Sequence, residues 1–271
     1  MTTPFVLYRD STLSGTAELD AIHSTDLLAS SAAEDIPAGS VVFPRFRSIP
    51  FGQQLEESVQ AAGSELVNSW AEYLYISNLH GWVADLGDLT PAAYKVQEIP
   101  NLPEGEYFIK GETNSVKHEW LSSAFAPNLA AVDAVVKNLR GHGVVGSQEL
   151  VIRPFVRYRE LAVMETGQPV FNEWRVFILN GQVMAKGFYW SQQQHRFDEQ
   201  QIQPLIPEEF QKAVDAAIQA VGDKVSFVVV DFAEKPDGTW QVIELNDGNM
   251  SGLCGVDPDE LWSNIAASYN H

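Results

Sequence analysis

Runs of apolar residues recur along the chain at two spacings, and they predict strands and helices in turn. Residues 5–8 and 40–46 are apolar runs of strand length, and residues 65–68 read as a further short strand. Residues 53–62 carry Leu55, Val59 and Ala62 at helical spacing, and a second helix is expected through Trp70, Tyr73, Leu74 and Leu79. Strands alternating with helices predict an α/β N-terminal region. Thr90-Pro91 and the segment 100–105 punctuate the chain, so a boundary is expected between residues 90 and 105.

Beyond it, 107–110 reads as a strand, followed by a polar loop and then Lys117. Residues 127–138 predict a helix with Leu129, Val132, Val135 and Val136 turned inward, and 150–156 is apolar apart from Arg153. Residues 170–179 and 182–190 predict a hairpin about Asn180-Gly181, a dipeptide that accepts the positive φ values of a tight β-turn. A helix over 208–221 would bury Phe210, Val214, Ala217 and Val221 on one face. Two last runs, 226–231 and 240–249, face each other across Lys235-Pro236-Asp237-Gly238, which has turn chemistry.

Acids interrupt this last pair of runs. Asp231 closes the first, and Glu244 and Asn246 stand two apart near the end of the second. Side chains alternate across a strand, so Glu244 and Asn246 share a face, and Asp231 reaches it if the hairpin is in register. Charge inside an apolar run is costly unless paired or metal-bound. Three oxygen-bearing side chains at one sheet edge suit a hard cation such as magnesium. The plain alternative is two strand-end acids followed by an Asn-Asp-Gly turn.

Composition narrows the function classes. The chain has 271 residues, 45% of them apolar and 20% charged, enough for a substantial core in one large domain or a few interlocked ones. Seventeen basic and 36 acidic residues leave a net charge of −19, which argues against general nucleic-acid binding. No apolar stretch approaches the length that spans a bilayer, and residues 1–10 lack a signal-peptide pattern, so a cytoplasmic protein is expected. Cys254 is the lone cysteine, read as a free buried thiol that excludes an intrachain disulfide.

Against that acidic background the placed cations stand out. Lys110 ends a strand beside Gly111, and Lys117 follows a polar loop, positions where a lysine either meets phosphate or is simply solvated. No GxxxxGK[ST] pattern is present. Arg175 lies within a strand, on the same face as Glu173 and Phe177, and its guanidinium needs a phosphate or a carboxylate such as Glu173. Lys186 sits across the hairpin and is expected to join the same basic patch. Arg153 is another charge in an apolar run, and Pro154 after it marks an edge strand or a change from strand to loop.

In this order, these pieces resemble the ATP-grasp superfamily. The resemblance is carried by Phe108-Ile109-Lys110, Ser115-Val116-Lys117, residues 150–156, Glu173-Trp174-Arg175-Val176-Phe177 with its Asn180-Gly181 turn, Tyr189-Trp190, and Asp231 with Glu244-x-Asn246. It is closest to a bacterial and phage branch with an Arg in the linker strand and two Lys in the first subdomain. The resemblance implies an α+β fold with two subdomains gripping ATP (96–150 and 151–271), preceded by a small α/β domain over 1–95. It further implies Lys110 and Lys117 on the phosphates, with backbone groups of Val151 and Ile152 on adenine and Arg153 at that hinge. Glu160 would reach the ribose, Glu173 and Arg175 would lie at the nucleotide, and Arg175 would stabilise the transferring phosphate with Lys186. Asp231, Glu244 and Asn246 would hold magnesium. The implied reaction joins a carboxylate to an amine through an acyl phosphate, with small-molecule or peptide substrates. A kinase on the same fold, or a non-catalytic nucleotide-binding module, are the alternatives. Better-known members carry an acid where Arg153 stands.

Overall fold

The computed structural model describes residues 3–270, apart from the side chain of His118. Three four-stranded sheets organise these residues. The first is parallel, in the order Leu28–Ser30, Thr3–Tyr8, Ser40–Arg45 and Glu65–Leu66. Its crossovers are made by short helices, among them Ala17–His23 and Gly52–Ala61. This is the predicted α/β region. The strand Leu28–Ser30 and the helices Asp10–Leu13 and Ala17–His23 were not foreseen, because each is too short to show a period.

The second sheet is antiparallel and runs Tyr94–Lys95, Leu150–Pro154, Tyr107–Gly111, Phe125–Ala126. It crosses both expected boundaries: Tyr94–Lys95 precedes residue 96, and Leu150–Pro154 follows most of the segment assigned to the first subdomain. Leu150–Pro154 is an inner strand that ends at its proline and gives way to loop, the second of the two alternatives for Pro154. Helix Leu129–Arg140 covers this sheet with Val132, Val135, Val136 and Leu139 buried, and Asn128 caps it by accepting from the Ala131 amide at 3.1 Å.

The third sheet positions the site. Its order is Gln182–Phe188, Glu173–Leu179, Phe227–Glu234, Trp240–Asp247, all antiparallel. Asn180 (φ 49°) and Gly181 (φ 73°) both take the left-handed conformation that the Asn-Gly pair predicts for a two-residue hairpin. Phe227–Glu234 is buried along its whole length, as an inner strand of an enclosed sheet must be. It continues three residues past Asp231, which therefore lies inside the strand and not at its end.

The two faces of this sheet differ. On one, Val176, Ile178, Val228, Val230 and Phe232 pack against Phe210, Val214, Ala217 and Val221 of helix Pro207–Val221. Each such Val, Ile or Phe side chain contributes about 1.5–3 kcal/mol when fully buried. Pro207 and two glutamates in the first turn start that helix in the preferred way. The other face is apolar at one end, where Phe177, Phe227 and Val229 meet Phe43 and Trp262. Toward the other end the same face turns charged, with Arg175, Asp231 and Glu244 side by side. Trp262 belongs to helix Pro258–Ser268, which the apolar spacing did not predict; Asp257 caps it and Pro258 opens it.

Candidate functional site

The register decides which charges meet. Arg175 pairs directly with Asp231, and Asp231 directly with Glu244, so the three form a row across adjacent strands. A bulge between Asp231 and Phe232 leaves Ile243 as the extra residue of its strand. The Ile243 carbonyl accepts from Arg153 Nη1 at 2.7 Å, which ties this strand to the second sheet.

Every charge in the row is engaged. Arg175 donates from Nε and Nη2 to both oxygens of Asp231, at 2.8 and 2.7 Å, and from Nη1 to the Gly252 carbonyl at 2.7 Å. The partner of Arg175 is thus Asp231 and not Glu173. Asn246 adds a 3.3 Å hydrogen bond to Asp231 Oδ2. Lys110, reaching over from the second sheet, forms an ion pair with Glu244. Burial opposes the Glu244 charge, but Lys110, Lys117 and Arg175 outweigh it and hold the carboxyl down at about 2. Asp231 has no exposed side-chain surface, and there burial wins over Arg175, so its pKa is raised.

Lys117 completes the cluster from the second sheet's loop, with Nζ 5.3 Å from the Tyr189 ring centre and 5.6 Å from that of Trp190. Burial disfavours its charge, yet Tyr189, Glu173, Glu244 and Asp231 together raise its pKa. Glu173 accepts from Trp190 Nε1 at 3.0 Å, and burial pushes its carboxyl up to about 7, with Lys117 opposing. Tyr189 also lies under the Arg175 guanidinium, 4.9 Å from its ring centre.

Two chambers open on this cluster. One has an open volume of about 750 Å³ and is walled by Trp120, Phe155, Phe171 and Ile243, with Lys110, Lys117, Glu173 and Glu244 at its polar end. The other, about 970 Å³, is more polar and is lined by Arg175, Asn246 and residues of the N-terminal region. Lys110 and Glu244 line both, so the chambers meet at that ion pair.

Several expected contributors stand elsewhere. Lys186 pairs with Val176 and shares its face, opposite Arg175; it is exposed, and its Nζ lies 5.3 Å from the Phe210 ring centre. It does not join the basic patch, because alternation separates it from Arg175. Glu160 is exposed at the start of strand Glu160–Val163 and lines neither chamber. Val151 and Ile152 are paired on both sides, with Lys95 and Lys110 and with Tyr94 and Ile109, so their backbone groups serve the sheet. Arg153 lines the first chamber but is spent on structure: Nη2 donates to Thr90 Oγ1 at 2.7 Å and to the Pro91 carbonyl at 2.6 Å. Burial lowers its pKa to about 10. Cys254 is exposed, not buried, and its Sγ is 3.4 Å from Arg175 Nη1.

The apolar spacing did not single out Phe155 and Phe171 as chamber walls. Phe155 lies near the end of the apolar run 150–156 and Phe171 near the start of the run 170–179, and only the fold brings the two together.

Among the described residues, no group of three or more His, Cys, Asp and Glu side chains is arranged to hold a metal ion. The predicted set is two carboxylates and an amide, an all-oxygen donor set of the kind hard cations take. Glu244 and Asn246 line the second chamber, while Asp231 lies behind them on Arg175. The set fits magnesium through Glu244 and Asn246 first. No helix among the described residues is long and apolar enough to cross a membrane.

Comparison with solved structures identifies the class of fold. D-cycloserine synthetase DcsG superimposes with a TM-score of 0.62 at 10% identity, covering 98% of this chain and 99% of that one. D-alanine–D-alanine ligase from Bacillus anthracis, solved with ATP, gives 0.60 at 12% identity over 98% and 96%. The ATP-grasp ligase PsnB, solved with its minimal precursor, Mg and ADP, gives 0.59 at 12% over 99% and 98%. All share the ATP-grasp fold, an α+β architecture. No curated protein sequence matches the chain. The model for the ATP-grasp domain of R-2K clade family 3 matches residues 97–265, and the chain belongs to that family.

Proposed function

We propose that this protein is an ATP- and magnesium-dependent ligase that joins a carboxylate to an amine through an acyl phosphate, releasing ADP and phosphate. The observation that carries this reading is the meeting of two chambers at Lys110 and Glu244, one largely apolar and one polar. The ATP-grasp family and the ligases among its structural neighbours support it.

On this reading the purine lies among Phe155, Phe171 and Ile243, next to the backbone just after Leu150–Pro154. Arg153 holds that hinge by its bonds to Thr90, Pro91 and Ile243. Lys110 and Lys117 neutralise the phosphates, and Arg175 faces the charge that develops on the transferring group. Glu173 keeps Lys117 in place. Glu244 and Asn246, with Asp231 behind, would hold magnesium, which would neutralise phosphate charge. The substrate carboxylate attacks the terminal phosphorus from the polar chamber and ADP leaves; the amine then attacks the acyl carbon, phosphate leaves and the nitrogen gives up a proton.

The experiment is phosphorus NMR of the protein with ATP, magnesium and pools of amino acids, peptides or cell extract. ADP and free phosphate are expected in equal amounts, with a new amide by mass spectrometry. A persistent phosphorylated product would make it a kinase instead, and ATP left intact with every pool would exclude catalysis.

A further inference from the structure

The polar chamber has six charged lining residues: Arg47, Lys110, Glu112, Arg175, Glu244 and Asp247. Four are already satisfied by the protein. Lys110 and Glu244 neutralise each other, and Arg175 is held by Asp231. Asp247 is buried and accepts from Asn68 Nδ2 and the Asn249 amide, both at 2.9 Å. The other two differ. Arg47 is exposed and forms no ion pair among the described residues. Glu112 is half-buried, and the only hydrogen-bond partner of its carboxylate among the described residues is the Leu79 amide, 3.2 Å from Oε1.

These two groups stand on separate parts of the fold. Arg47 follows the strand Ser40–Arg45 of the parallel sheet, whereas Glu112 follows Tyr107–Gly111 of the second sheet. The same chamber also has apolar lining residues, Ile49, Ile76, Trp82 and Met250. An open guanidinium asks for a carboxylate, which it binds through two parallel hydrogen bonds. A carboxylate partly withdrawn from water, with one amide donor, gains most from a cation.

We infer that the polar chamber binds a small zwitterion with an apolar frame, its carboxylate on Arg47 and its ammonium on Glu112. On the ligase reading, on which this assignment of substrate class rests, that ligand is the amine partner. With its carboxylate held by Arg47, the ligand is left with the nitrogen as its reacting group, after the ammonium gives up a proton. A dianion would meet Glu112, and a dication would meet Arg47.

Calorimetric titration of the full chain tests this with apolar amino acids of both hands, their amides and their N-acetyl derivatives. Each titration is run with and without AMP-PNP and magnesium. The free amino acids should bind best. Arg47→Gln should weaken amino acids and N-acetyl forms by roughly tenfold or more and leave the amides unchanged. Glu112→Gln, which keeps an acceptor for the Leu79 amide, should weaken amino acids and amides and leave the N-acetyl forms unchanged. Equal affinity of wild type and Arg47→Gln for the amino acids would overturn the assignment, as would tighter binding of glutarate than of any zwitterion. Failure of every zwitterion to bind, with AMP-PNP binding intact in the same samples, would overturn it and leave the nucleotide reading standing. Zwitterion binding without any nucleotide binding would do the opposite.

Discussion

Two carboxylates with no exposed side-chain surface stand three residues apart on the strand Phe227–Glu234, each facing an arginine. Glu234 is enclosed by the protein alone. It takes an ion pair from Arg159, a 2.8 Å hydrogen bond from Asn172 Nδ2 and a 2.6 Å bond from the Leu205 amide. Arg159 in turn donates to the carbonyls of Gln201 and Gln203, at 2.9 and 2.6 Å. Asp231 has Arg175 and Asn246, but its cross-strand neighbour Glu244 opens on both chambers. Burial and ion pairing look the same at the two positions. What separates them is whether the network ends inside the protein or at a cavity.

The largest effect that would sharpen this contrast belongs to Glu234. Glu234→Ala strands Arg159 and the donors of Asn172 and Leu205, and should lower stability by about 3–5 kcal/mol in urea unfolding. A loss within the ~0–1 kcal/mol range of a surface ion pair would erase the distinction. Asp231→Asn keeps the shape and one acceptor oxygen but turns an amide donor toward the Arg175 and Asn246 donors, so unfolding should shift by about 1–3 kcal/mol. Its magnesium-dependent affinity for AMP-PNP should nonetheless fall roughly tenfold or more. Unchanged affinity would make Asp231 as structural as Glu234.

A subtler effect concerns Glu173, whose carboxyl is raised from 4.5 to about 7 chiefly by burial. Below pH 4.5 both folded and unfolded chains hold its proton, and the group adds no pH dependence. Between 4.5 and about 7 the folded chain keeps a proton that the unfolded chain has lost, so this group makes stability decline as pH rises. Above that window the decline is complete. Glu173→Gln should therefore gain stability relative to wild type across that interval, measured by denaturant titrations at several pH values. A parallel pair of profiles would place Glu173 in a more ordinary environment. The smallest effect is expected from Lys186→Ala, on the far face. It should change stability by no more than about 0.5–1 kcal/mol through its contact with Phe210, and nucleotide affinity not at all.

The sequence made one of these acids legible and hid the other. Asp231, Glu244 and Asn246 broke apolar runs at spacings that alternation could translate into a shared face. Glu234 lies beyond the apolar run 226–231, next to Lys235-Pro236, and its partners Arg159, Asn172 and Leu205 are brought by tertiary folding alone. The same limit explains Lys186: hairpin register placed it near Arg175, but pleating turned it to the other face. Arg153 was visible as a misplaced charge, whereas its partners Thr90 and Pro91 are brought by tertiary folding and the Ile243 carbonyl by a bulge that no local pattern announces. Arg47 and Glu112 follow strands in ordinary loops, and only the chamber between them gives either one meaning. Long periodic elements such as Pro207–Val221 were readable because a single face carries their packing. Short ones such as Leu28–Ser30 depend on neighbours for their existence.

On the proposed function, the row ending at Glu244 forms one wall of a magnesium–nucleotide cleft. Titration of AMP-PNP into wild type and Glu244→Gln, each with magnesium and with EDTA, tests it most directly. Wild type should bind with magnesium and lose roughly tenfold or more in EDTA, and Glu244→Gln should bind weakly in both. Binding by Glu244→Gln that matches wild type and keeps its magnesium dependence would contradict the account.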